Sequence, residues 1–197
     1  MLETITYNNC NILISPNEYA LNPLINFDLL TRFFTWHKSY NLGNDHQFRT
    51  PNEFIQYYKI THKNNEYISS HQDILLIKPL YLYDHSSLSL STTPFSCRWD
   101  SGQVGFVMML RSDILCFYNK KKITKKIQQE ILQTMENDIA LYNHYLEGDV
   151  YRYECKTKEG RFIDACSGYY GYDHQQSGLL RDAKSHIDSY LQQNHQR

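Results

Sequence analysis

The chain has 197 residues with 41% hydrophobic side chains, which suits a single α+β domain spanning residues 1–197 and gives it material for a sizeable core. Twenty Lys and Arg against 21 Asp and Glu leave a net charge of −1, which argues against a strongly basic nucleic-acid binder and against an acidic DNA mimic. Met1 to Ser15 lacks a basic start and a small-residue cleavage site, and no stretch approaches the ~18 apolar residues of a membrane span, so a cytoplasmic protein with no membrane partner is expected.

Leu2, Ile5 and Tyr7, then Ile12 to Ile14, alternate as a strand pair or one bent strand, broken at Ser15-Pro16-Asn17. Leu29 to Trp36 is rich in aromatics and predicts a strand. Thr50-Pro51-Asn52-Glu53 has the form of a helix start: a Thr cap, Pro in the first position and Glu closing a capping box. The apolar run Ile74–Tyr83 carries Pro79, which removes an amide and predicts an edge or bulged strand, or two short ones. Residues 84–102 are poor in aliphatics and predict a long loop, functional or mobile, before a short buried strand over Val104–Leu110. Ser112 and Thr124 are candidate helix starts. Ile127, Ile131, Met135 and Ile139, with Leu132, Tyr142 and Leu146 beside them, predict one apolar stripe on a long helix ending at Gly148. Asp149–Cys155 and Arg161–Cys166 flank Lys158-Glu159-Gly160 as a hairpin. Leu179, Leu180, Ala183, Ile187 and Leu191 mark a closing amphipathic helix. Strands in hairpin-like runs without a βαβ rhythm predict an α+β fold with a largely antiparallel sheet flanked by helices.

Five scattered cysteines without a C-x-x-C spacing predict free thiols in a reducing compartment. Seventeen tyrosines suit interface surfaces, since each offers a rigid ring and one polar tip; AT-rich coding DNA gives a plainer account. The chemistry concentrates between Tyr83 and Gly105, where Tyr83, Asp84, His85, Cys97, Trp99, Asp100, Ser101 and Gln103 share one loop. Four readings of it stay open. Cys97 and His85 form a nucleophile pair oriented by an Asp. His85, Asp84 and Asp100, with His37 or His46, ligate a metal. Trp99 and Tyr83 line a pocket in which Gln103 and Asp100 are hydrogen-bonding partners. Or Asx turns at Asp84 and Asp100 and a buried Trp simply tie down a structural loop.

Elsewhere the histidines are isolated, with no H-x-x-x-H or H-x-H pair, so neither metal nor cofactor is expected. Gly102-Gln-Val-Gly105 lacks the Lys and extra glycines of a phosphate loop. The run Lys120–Lys122 with Lys125-Lys126 predicts a solvated helix face, with nucleic-acid contact the alternative. Asp164-Ala-Cys-Ser-Gly-Tyr-Tyr-Gly171 predicts a Gly/Tyr loop whose Tyr169 and Tyr170 stack on a partner or cover a sheet end. The 84–105 and 167–173 loops are expected to share one end of the sheet.

Six blocks then stand in a recognisable order: Asn22-Pro23, Trp36-His-Lys-Ser-Tyr-Asn-Leu-Gly43, Pro79-Leu-Tyr-Leu-Tyr-Asp-His-Ser86, Phe95-Ser-Cys-Arg-Trp-Asp-Ser-Gly-Gln-Val-Gly105, Tyr145-Leu-Glu-Gly-Asp-Val-Tyr151 and Asp164 to Gly171. Over roughly residues 20 to 172 the chain resembles a family of small proteins carried by phages, plasmids and integrative elements. The block around Trp99 is the specific one. The chain departs from the family at Ser87, Arg98 and Ser167, where Gly, Pro and Trp are the commoner residues. The resemblance carries over no catalytic residues. It implies an accessory role in a mobile element, in a bacterial host, and from that setting inhibition of a host defence system such as CRISPR by stoichiometric binding to a defence protein or complex. The alternatives are sequestration of a small nucleotide-like ligand by the 84–105 loop, and an enzyme using Cys97 and His85. The lack of a catalytic spacing leans against an enzyme.

Overall fold

The computed structural model describes residues 3–195, so Leu2 lies outside the described residues. The fold is α+β, and its described strands pair antiparallel in three separate sheets rather than one. The chain divides into two compact units, residues 1–21 with 144–197 and residues 22–143.

The first unit opens with β1 (Glu3–Tyr7) and β2 (Cys10–Pro16). Between them Asn8 and Asn9 take φ of 47° and 63°, the left-handed pair that a two-residue hairpin needs and that Asn tolerates. Its other strands come from the far end of the chain.

The second unit begins with the single turn α1 (Pro23–Asn26), capped by the Asn22 side chain, and then β3 (Thr31–Thr35). In α2 (Pro51–Tyr57) Thr50 Oγ1 accepts from the Glu53 amide at 3.2 Å. The Glu53 carboxylate reaches back one residue further than a capping box requires, accepting from the Arg49 amide at 2.8 Å. A small hairpin of β4 (Ile60–Lys63) and β5 (Glu66–Ser69) follows, which the sequence reading did not assign. β6 (Ile74–Asp84) has paired strands on both sides only from Tyr81 onward; before that, at Pro79, it is an edge. It is bulged, with register shifts at Ile74/Leu76 and Leu80/Tyr81, and Pro79 pairs only with the strand on one side.

The expected 84–102 loop is shorter than predicted. β7 (Leu88–Ser91) forms inside it and β8 (Ser101–Leu110) starts early, so the irregular stretch is 92–100. Two leucines alternating with serine suffice for a strand here because Leu90 is buried and paired with Leu82. The sheet order is β3-β8-β6-β7. Phe34, Phe54, Phe106 and Met108 form an aromatic-rich core on it, with Phe34 and Phe54 ring centroids 4.8 Å apart.

α3 (Arg111–Phe117) starts without a local cap; Asp73 serves instead, accepting from the Ser112 amide and hydroxyl, each at 2.9 Å. α4 (Lys125–Glu147) is capped by Thr124 and buries Ile127, Ile131, Met135, Ile139 and Tyr142. Leu132 falls off that stripe and is 43% exposed. Gly148, at φ +76°, ends the helix.

β9 (Val150–Thr157) and β10 (Phe162–Tyr170) then complete the first unit as a hairpin turned at Gly160. Its sheet order is β1-β2-β9-β10. The Gly/Tyr stretch after Asp164 is therefore largely strand, bulged between Ser167 and Tyr169. α5 (Leu179–His195) buries Leu179, Ala183 and Ile187 in one core with Ile12, Ile14, Tyr153 and Cys155. Among the described residues no helix is long and apolar enough to cross a membrane.

Candidate functional site

The ends of β6 and β8 place most of the candidate residues. Tyr83 pairs with Ser101 across the ladder, and the Asp84 amide donates to the Asp100 carbonyl at 2.8 Å. The 92–100 turn between them is held by its own polar groups. Ser101 donates to the Cys97 carbonyl, and the Cys97 thiol donates to the Asp100 carboxylate at 3.3 Å. The Phe95 ring lies 5.5 Å from that of Tyr83.

With the turn fixed in this way, Trp99 is not needed in the core. The expectation of a buried indole is overturned: Trp99 is 96% exposed, on a corner between Arg98 and Asp100. Beside it lies an open cleft of about 380 Å³, walled by His37, Asp84, Trp99, Asp100 and Ser101. His37 stacks on Tyr40 at 4.9 Å between centroids, with the planes 8° apart. The Tyr40 phenol is pushed above its ordinary pKa, first by the negative charge of Asp84, then by burial and a hydrogen bond to the same carboxylate. Gln103 also lines this cleft, with its amide engaged by neighbours: it accepts from the Tyr67 hydroxyl at 3.3 Å and donates to the Gly105 carbonyl at 3.2 Å.

The geometry speaks against the nucleophile reading. Asp100 stands between the two partners, 3.3 Å from the Cys97 sulfur and 3.7 Å from His85 Nδ1. A thiol nucleophile needs an imidazole as base with a carboxylate orienting it from behind; here the thiol faces the carboxylate. His85 is exposed, 65% accessible at its side chain, with its ring centroid 6.1 Å from that of Tyr83.

Tyr169 and Tyr170 belong to a different sheet. They sit in β10, whereas the Trp99 turn belongs to the β6–β8 sheet, so the two loops share no sheet end. Each hydroxyl has a structural partner: Tyr169 donates to Asp182 at 3.2 Å and Tyr170 to the Leu21 carbonyl at 2.5 Å. Burial raises the pKa of the Tyr169 phenol, so it stays protonated and bonded.

Two features escape the sequence reading. His186 on α5 meets the Asp164 carboxylate and the Tyr153 hydroxyl through Nδ1, the latter at 2.9 Å. Burial pushes the Tyr153 phenol to about 12, so it stays protonated near neutral pH. A groove of about 550 Å³ also runs beside the β4–β5 hairpin, with Tyr67, Lys78, Tyr81 and Thr93 in its walls. Nothing in local spacing marks either, because the residues come from distant segments.

Compared with known proteins, the chain matches no family model, no curated protein and no solved structure.

Proposed function

We propose that the protein acts by stoichiometric binding, with the Trp99 turn as its contact surface, and that its partner is a bacterial host defence protein or complex such as a CRISPR effector. One observation carries the binding reading. A 96% exposed indole sits on a turn held by its own hydrogen bonds, beside a cleft with two carboxylates and an imidazole in its wall. An exposed Trp on a fixed backbone is an anchor that loses little entropy on docking, and interface energy concentrates on such residues. The defence target, and with it a cytoplasmic place of action, follows from the mobile-element resemblance of the Trp99 block. The cleft volume supports one alternative, a nucleotide-like ligand stacked on Trp99.

A defence-inhibition assay with the tagged full chain tests this. Trp99→Ala is expected to abolish inhibition and capture of the defence complex while its stability stays within about 0.5 kcal/mol of wild type, as for a surface change. Cys97→Ser and His85→Ala are expected to keep inhibition. Inhibition that persists at one protein per hundred targets and disappears in Cys97→Ser would replace binding by catalysis. Saturable nucleotide binding that Trp99→Ala removes, without capture of a protein, would select the alternative.

A further inference from the structure

In the unit that does not contain Trp99, the last turn of α4 and the residues just after it gather three ligating groups. One donor atom from each of His144, Glu147 and Asp149 lies within 4.8 Å of the other two. A cation bonded at about 2.0–2.2 Å holds tetrahedral ligand atoms about 3.5 Å apart, so the three side chains would draw together by up to about 1 Å on binding. Local structure explains the grouping. His144 and Glu147 are three apart on one helix face. Gly148 turns the chain, and the Asp149 amide donates back to the His144 carbonyl at 2.8 Å, which returns Asp149 to the helix end. Gly171, at φ +105°, packs on the imidazole so closely that a Cβ there would lie 3.2 Å from Nε2.

The electrostatics are unbalanced. Among the described residues neither Glu147 nor Asp149 has a Lys, Arg or His partner within ion-pair distance. His144 Nδ1 is buried without a hydrogen-bond partner, and an unsatisfied buried ring nitrogen is unfavourable. His144 also lines a cavity of about 330 Å³, together with Asp173 and Ser177, whose hydroxyl is likewise buried and unpartnered. A divalent cation would balance both carboxylates. One nitrogen and two carboxylates suit the zinc class of ions, whereas calcium takes six to eight oxygens.

We propose that His144, Glu147 and Asp149 form a binding site for a divalent transition-metal ion of the zinc class. The test is titration of the chelator-treated full chain with Co²⁺, followed by visible absorption, with Zn²⁺ as competitor. One equivalent is expected to bind, without the near-ultraviolet band of thiolate ligation. Glu147→Gln and Asp149→Asn should each weaken binding about tenfold or more, by analogy with the loss seen on disturbing a metal's supporting shell, and Cys116→Ser and Cys166→Ser should leave it unchanged. Glu147 is exposed, so its variant keeps the test valid even if His144→Ala disturbs folding. No saturation by about 1 mM, the millimolar end of the affinity scale, a thiolate band, or binding indifferent to both carboxylate variants would overturn the proposal.

Discussion

Side chains here are placed by what their polar ends need as much as by apolar area. Burying an indole is worth several kcal/mol at about 25 cal/mol per Å², and Trp99 forgoes it because the surrounding turn is already closed by Cys97, Asp100 and Ser101. Asp138 is the opposite case. It is drawn in beside β3 to accept from the Thr31 amide at 3.0 Å, and burial raises its carboxyl pKa more than the Thr31 and Leu30 hydrogen bonds lower it. A carboxyl whose folded-state pKa exceeds its unfolded value binds its proton more tightly when folded. It therefore lowers stability as pH rises from the unfolded value of about 4 through the raised folded value, and the loss is constant above that. Asp138→Asn removes this dependence while keeping an acceptor for Thr31. Relative to wild type, the variant is expected to gain stability as pH rises through that window and then to level off. Urea unfolding of both proteins at pH 3.5 and at pH 7 checks the sign.

At the scale of elements, regular periodicity was legible and long-range support was not. The α4 stripe from Ile127 to Ile139, the Thr50 cap, the hairpin at Gly160 and the α5 face all show in local sequence because their signals repeat every two or four residues or sit at a turn. β7 was hidden because it depends on a distant residue: Asn143 accepts from the Leu90 amide and donates to the Leu90 carbonyl, both at 2.8 Å. An edge strand of four residues needs such a partner on its open side. Asn143→Ala should leave both backbone groups of buried Leu90 unpaired and cost about 2 kcal/mol, read as a lower urea midpoint with faster exchange of the Leu90 amide. Asn143→Asp keeps the acceptor but loses the donor, and should recover only part of the loss. Of the candidate site, Tyr83 to Asp100 was legible as a concentration of chemistry. The sequence marks His37 only as an alternative metal ligand, and the His144, Glu147 and Asp149 group lacks the familiar metal signal of a histidine pair on one helix face.

For the whole molecule, cysteine placement offers a readout of each unit. Cys10 and Cys155 lie in the core of the β1-β2-β9-β10 unit, and burial raises both thiols, Cys155 to about 12. Cys116 and Cys166 are exposed and Cys97 is half-buried. Thiol labelling of the native chain at pH 8 is therefore expected to modify Cys116 and Cys166 first and to spare Cys10 and Cys155, which should react only as their unit opens. Labelling of Cys155 as fast as that of Cys116 would show that this core does not close. The nesting of the units also sets an order of assembly on the ribosome. β2 finds its inner neighbour only in β9, where Ile12 faces Cys155, and that sheet gains its covering helix only with the last residues of α5. Residues 22–143, which carry the Trp99 turn, leave the exit tunnel earlier and hold all the strands of their own sheets. The first hairpin must wait for its partners through most of translation, while the contact surface can form during it.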